Sequence, residues 1–226
     1  MYLTSYIIFG FFALLSWIIS ASLQSKFKKY SKIPLPNGMT GKDVAERMLH
    51  DNGIYDVRVV STGGMLTDHY NPANKTVNLS EGVYASNSIA AAAVAAHECG
   101  HAVQHAKAYA PLKMRSGLVP IINFASQWLQ WILLAGIVLI NIFPQLMLAG
   151  IILFATTTLF SFITLPVEIN ASSRAIAWLE TAGITNSSTS APAKDALRTA
   201  AYTYVVAALG SLAQLVYYIL IFLRRR

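Results

Sequence analysis

Apolar and polar residues fall along this chain in long blocks rather than in short alternations. Residues 1–25, 116–167 and 199–223 carry no charged side chain. A helix needs about 20 apolar residues to cross a hydrocarbon core roughly 30 Å thick, so the outer blocks predict one membrane span each and the middle block predicts two. The spans are expected near 3–23, 118–140, 146–166 and 201–223. The middle pair turns at residues 141–145, where Pro144 and polar side chains interrupt the apolar run. Ser20-Ala21-Ser22 would suit a signal peptidase, but no Lys or Arg precedes the first apolar run as a signal peptide requires, so a retained span is expected.

Between the blocks the periods are shorter. Thr40-Gly41-Lys42-Asp43 has the form of a capping box, Val44, Met48 and Leu49 follow at helical spacing, and Gly53 is placed to close that helix. Residues 54–60 alternate like a half-buried strand. Residues 65–79 predict a β-hairpin around Asn71-Pro72-Ala73-Asn74, with the strand at 75–79 as an exposed edge for an extended peptide. Ser86-Asn87-Ser88 offers capping side chains to an alanine-rich helix that ends before Pro111. The fold class is thus a mainly α membrane protein, with four transmembrane helices and a small α+β catalytic domain containing a short β-sheet. The expected organisation is a first span (1–25), a catalytic domain (26–115), a transmembrane hairpin (116–167), a third-ligand helix and loop (168–198), and a last span with a basic tail (199–226). The Ser/Thr-rich stretch at 185–193 is expected to be a linker or a lid.

Composition sharpens this picture. Charged residues make up 12% of the chain and hydrophobic ones 55%, whereas about a quarter of a soluble protein is charged. The net charge of +7 does not predict a nucleic-acid partner, because its lysines and arginines are not interleaved with aromatics on one surface. Lys26, Lys28, Lys29 and Lys32 follow the first span and Arg224, Arg225 and Arg226 follow the last, which suits a phospholipid membrane. More basic residues flank the spans on the side of segments 24–115 and 168–198 than on the side of the termini. The positive-inside rule therefore predicts a multi-pass protein of the cell membrane with its catalytic domain in the cytoplasm. The single cysteine, Cys99, excludes an internal disulfide and a multi-cysteine metal cluster.

The candidate chemistry lies in AAHECGHAVQH, residues 95–105. Residues four apart share one helix face, so His97 and His101 can direct ring nitrogens at one cation, while Glu98 is rotated by about 100° and stands beside it. This is the HExxH arrangement of two zinc ligands and a general base. His105 is about 12 Å of helical rise from His97, too far to share the ion. The missing ligand should return from elsewhere on the same side of the membrane. Glu168 fits, as the first charged residue after 52 uncharged ones, where the third span emerges. Glu180 and Glu81 are weaker candidates.

LTDHYNP (66–72), VNLSEGVY (77–84), AAHECGHAVQH (95–105), LPVEINASSRA (165–175) and LRTAAYTYVVAAL (197–209) together resemble the YugP-like family of bacterial membrane-bound neutral zinc metallopeptidases, distant relatives of the HtpX and CAAX-prenyl-type proteases. The resemblance covers nearly the whole chain. It implies a zincin-like α+β unit joined to a membrane bundle, His97, His101 and Glu168 as zinc ligands, and Glu98 as catalytic base. Two departures stand out. Cys99 occupies a position that is usually Ala in the family. Ser172 stands where HtpX-type relatives carry an Asp that orients a zinc histidine, with Asn170 nearby.

The expected activity is that of a zinc metalloendopeptidase acting on a polypeptide substrate: water is activated at zinc, and Glu98 takes its proton and passes it to the leaving amine. Arg174, His69 and Tyr70 are the candidates for steadying the oxyanion. The alternative is a non-catalytic membrane adaptor or chaperone with a structural zinc site, although such sites normally close all four positions with protein ligands. The sequence leaves room for a regulatory membrane partner and does not name the substrate.

Overall fold

The computed structural model describes residues 2–224, so Arg225 and Arg226 of the basic tail lie outside the described residues. Among these residues, four helices are long and apolar enough to cross a membrane: α1 (Tyr2–Tyr30), α5 (Ala110–Val138), α6 (Pro144–Thr181) and α7 (Ser190–Leu223). All four are longer than the spans expected from the apolar blocks, and in α6 and α7 the polar flanks continue the helix where a core awaits one of its faces. In α6 the helix passes Pro166 and goes on to bury Val167, Ala171, Ala175 and Leu179 at four-residue spacing. In α7 the added first turns bury Ala193, Ala196 and Leu197.

The chain divides into two compact units. One comprises the residues up to Ile18, Lys113–Pro166 and those from Thr203 on. Within it α5 and α6 approach closely, and a Cβ on Gly136 would lie 2.7 Å from Met147 Cα. Small residues at such crossings are how helices pack where lipid removes the hydrophobic drive between them. Trp128, Trp131, Leu134, Ile152 and Leu159 face outward and exposed, forming an apolar surface of the kind a bilayer covers.

The other unit comprises Ile19–Leu112 and Val167–Tyr202. Helix α2 (Gly41–Asp51) starts on the expected capping box: Thr40 accepts from the Asp43 N–H and the Asp43 carboxylate accepts from the Thr40 N–H. It closes at Gly53, with φ at +71°, where the Ile54 N–H returns to the Leu49 carbonyl. That turn accounts for one correction. Ile54 is buried by the helix exit, so strand β1 is Arg58–Thr62 rather than 54–60. Strands β2 (His69–Asn71) and β3 (Thr76–Ser80) form the expected hairpin, but residues 65–68 do not pair and Asp68 instead accepts from the Ser80 N–H.

The strand order is β1-β3-β2, with β1 parallel and β2 antiparallel to β3. The expectation of β3 as an exposed edge is therefore wrong. Val77 and Leu79 are fully buried, so β3 takes the centre and the edges fall to β1 and β2. A short helix α3 (Glu81–Tyr84) leads to α4 (Ile89–Ala106), which Ser88 caps by accepting from the Ala91 N–H. Alanines 90–93, 95 and 96 are all buried, so the alanine run that gives α4 its helix propensity also lets neighbours pack on several of its faces.

Candidate metal centre

Helix α4 places His97 and His101 one turn apart with their rings edge to face, centroids 4.8 Å apart. From α6, Glu168 brings Oε2 to 3.3 Å from His97 Nε2 and 3.5 Å from His101 Nε2. The three candidate donor atoms lie within 4.8 Å of one another. Ligands held tetrahedrally about 2.0–2.1 Å from zinc stand roughly 3.3–3.4 Å apart, so two edges of this triangle already have the required length. Two imidazoles and a carboxylate also suit zinc chemically. The other carboxylates weighed for this position lie elsewhere: Glu81 opens α3, and Glu180 pairs with Lys194 and Ser190.

The close approach of the two helices depends on Gly100, inside the histidine motif. A Cβ there would fall 2.7 Å from the Ala171 carbonyl oxygen. Burial opposes the charged form of His101, yet the Glu168 hydrogen bond and the charges of Glu98 and Glu168 outweigh it and raise the imidazole pKa. Cys99 is fully buried with its thiol on the Ala45 carbonyl, and burial, then the Glu98 charge, push its pKa well up. It packs as a small neutral side chain.

Around the triad each imidazole meets a partner at Nδ1. Ser172, four residues after Glu168, brings its Oγ to 3.0 Å from His97 Nδ1. Gln104 Oε1 lies 3.0 Å from His101 Nδ1, and Gln104 Nε2 donates to the Val167 carbonyl (2.7 Å) and to Asn170 Oδ1 (3.0 Å). Sequence reasoning missed Gln104. Its spacing of three residues from His101, on the same helix face, was the signal available.

Glu98 Oε2 accepts from the Tyr70 backbone N–H on edge strand β2 (3.1 Å). No side-chain pattern announces such a backbone contact. Of the three oxyanion candidates, Tyr70 thus reaches Glu98 directly, and its hydroxyl lies 2.9 Å from His105 Nδ1. His105 is exposed and sits outside the triad, as the helical rise requires. Arg174 is joined to the triad only indirectly, through Nε to Asn170 Oδ1 (2.7 Å). His69 turns to its own loop, with Nδ1 2.7 Å from the Thr67 carbonyl.

The family described as "Putative neutral zinc metallopeptidase" matches residues 5–223. The chain is 43% identical over 212 residues to "Putative membrane protease YugP" of Bacillus subtilis (strain 168), covering 94% of this chain and 93% of that one. No solved structure matches the chain. A match over nearly the whole length, with four apolar helices and a two-histidine, one-carboxylate cluster, leads to one conclusion: this chain is an integral membrane protein belonging to the neutral zinc metallopeptidase family.

Proposed function

We propose that the protein is a membrane-bound zinc endopeptidase in which His97, His101 and Glu168 hold the metal and Glu98 is the general base. The observation that carries this reading is the triangle of His97 Nε2, His101 Nε2 and Glu168 Oε2, whose edges to the carboxylate measure 3.3 and 3.5 Å. Three protein donors leave a fourth tetrahedral position for water or substrate, as catalytic zinc sites do. When bound, zinc would supply the Lewis acidity that activates water and polarises the scissile carbonyl.

The protein's own residues supply the rest. Glu98, held by the Tyr70 N–H, takes the proton from the attacking water and returns it to the departing amine. Tyr70 is the oxyanion candidate tied to that base. The sheet edges open to an extended substrate are β1 and β2 rather than β3. The excess of basic residues flanking the spans supports a cytoplasmic location for the catalytic segments.

Purified full-length protein in detergent should contain one zinc per chain and cleave casein. A strong chelator should abolish cleavage and added zinc should restore it. Protein that holds zinc stoichiometrically yet cleaves no polypeptide under any of these conditions would instead support a structural metal site.

A further inference from the structure

The orientation of every polar group around His101 can be deduced without seeing a hydrogen. An arginine Nε–H can only donate, so the Asn170 atom that meets Arg174 Nε at 2.7 Å must be the carbonyl oxygen Oδ1. The Val167 carbonyl can only accept. Gln104 approaches both acceptors with the same end of its amide, at 2.7 and 3.0 Å, so that end must be the NH₂ group. Reversing the amide would set its oxygen against two other oxygens in a fully buried site, where an unmade hydrogen bond costs most. The Gln104 oxygen therefore faces His101 Nδ1 at 3.0 Å and can only accept from it. In its neutral form His101 must therefore carry its proton on Nδ1, which leaves the Nε2 lone pair directed at the triad.

We infer that Gln104 is a positioning residue which, anchored by Val167, Asn170 and Arg174, fixes His101 in the one tautomer that can ligate a metal through Nε2. The inference rests on the reading of His97, His101 and Glu168 as zinc ligands. The assignment has an opponent within the site. Glu168 Oε2, 3.5 Å from His101 Nε2, would draw the proton to Nε2 and so remove the ligating lone pair. At the outer limit of hydrogen-bond length, that contact is weaker than the 3.0 Å bond to Gln104. His97 has no such clamp, since its partner Ser172 carries a hydroxyl that donates or accepts equally well. The same network ties α4 to α6, so the residue that sets the tautomer also holds the two ligand-bearing helices in register. Arg174 thereby reaches the site through Asn170 and Gln104.

The test uses full-length protein labelled with ¹⁵N-histidine, metal-free in detergent, at a pH above imidazole titration. Long-range ¹H–¹⁵N correlation then reads the tautomer, and competition with a fluorescent chelator reads zinc affinity separately. Wild type should show His101 protonated at Nδ1. Gln104→Leu should shift the proton to Nε2 and weaken zinc binding by about 10–100-fold, the usual effect of losing an outer partner of a ligand histidine. Arg174→Met should keep the tautomer, because Val167 still orients Gln104, and should weaken zinc binding by a smaller factor. A wild-type His101 protonated at Nε2 overturns the inference without any variant, and so does a folded Gln104→Leu protein with unchanged tautomer and zinc affinity. Wild-type protein that binds no zinc overturns the ligand reading alone, while the tautomer measurement still decides the role of Gln104.

Discussion

Gly100 lies so close to Ala171 that a methyl group added to it would sit 2.7 Å from the Ala171 carbonyl oxygen and 3.1 Å from its Cα. The obstacle is backbone, which cannot rotate aside. Gly100→Ala should force α4 and α6 apart, costing about 1–3 kcal/mol of stability as overpacked sites do. Because Glu168 stands one helical turn before Ala171, the same change should weaken zinc binding. Chemical denaturation and zinc competition on the purified variant measure both effects. Unchanged stability would mean that the helices separate without cost.

Glu168→Gln preserves the shape of the proposed third donor and removes its charge. Zinc affinity should fall by more than the about 10–100-fold typical of an outer partner, and cleavage should become sensitive to mild chelators. Equilibrium dialysis against buffered zinc checks this. The variants Glu81→Gln and Glu180→Gln, whose carboxylates lie outside the triad, should bind zinc as wild type does.

Cys99→Ala should retain zinc and cleavage, since the thiol is buried against the Ala45 carbonyl and burial holds it protonated. Thiol-alkylating reagents should likewise leave the folded native protein unmodified and active, which mass spectrometry can establish.

How the sequence maps onto this structure depends on the range of each interaction. The four long helices and the helix that carries His97 and His101 are legible because apolar blocks and a four-residue spacing are local signals, and Glu168, which lies beside the two histidines, stands out as the first charged residue after 52 uncharged ones. The central position of β3 is not, since the parallel pairing of β1 with β3 joins segments that have strand β2 and its connections between them. The extensions of α6 and α7 past their apolar blocks depend on faces such as Val167, Ala171, Ala175 and Leu179, whose partners lie far along the chain. Gln104 and the Tyr70 N–H escaped for a similar reason: one bonds a backbone carbonyl 63 residues away, and the other is itself backbone.

The capping box at Thr40 and Asp43 predicts an acid-sensitive contribution to stability. Hydrogen bonds from the Thr40 hydroxyl and then its backbone N–H lower the Asp43 pKa below its ordinary 3.8. A depressed carboxylate stabilises the fold above its unfolded-state pKa, and that contribution is lost as pH falls through the lower folded value. Thr40→Ala should cost about 1 kcal/mol at neutral pH, and the difference from wild type should shrink on acidification below that range. Denaturation at several pH values reads both.

The most direct test of the catalytic assignment is Glu98→Gln, purified from membranes and assayed for metal content and peptide cleavage side by side. The Gln side chain can still accept from the Tyr70 N–H through its oxygen but cannot take a proton from water. The account predicts one zinc per chain, as in wild type, with cleavage reduced by a factor on the order of 10²–10⁴, the range that a positioned general base contributes. A variant that keeps both its zinc and its wild-type cleavage rate would contradict it.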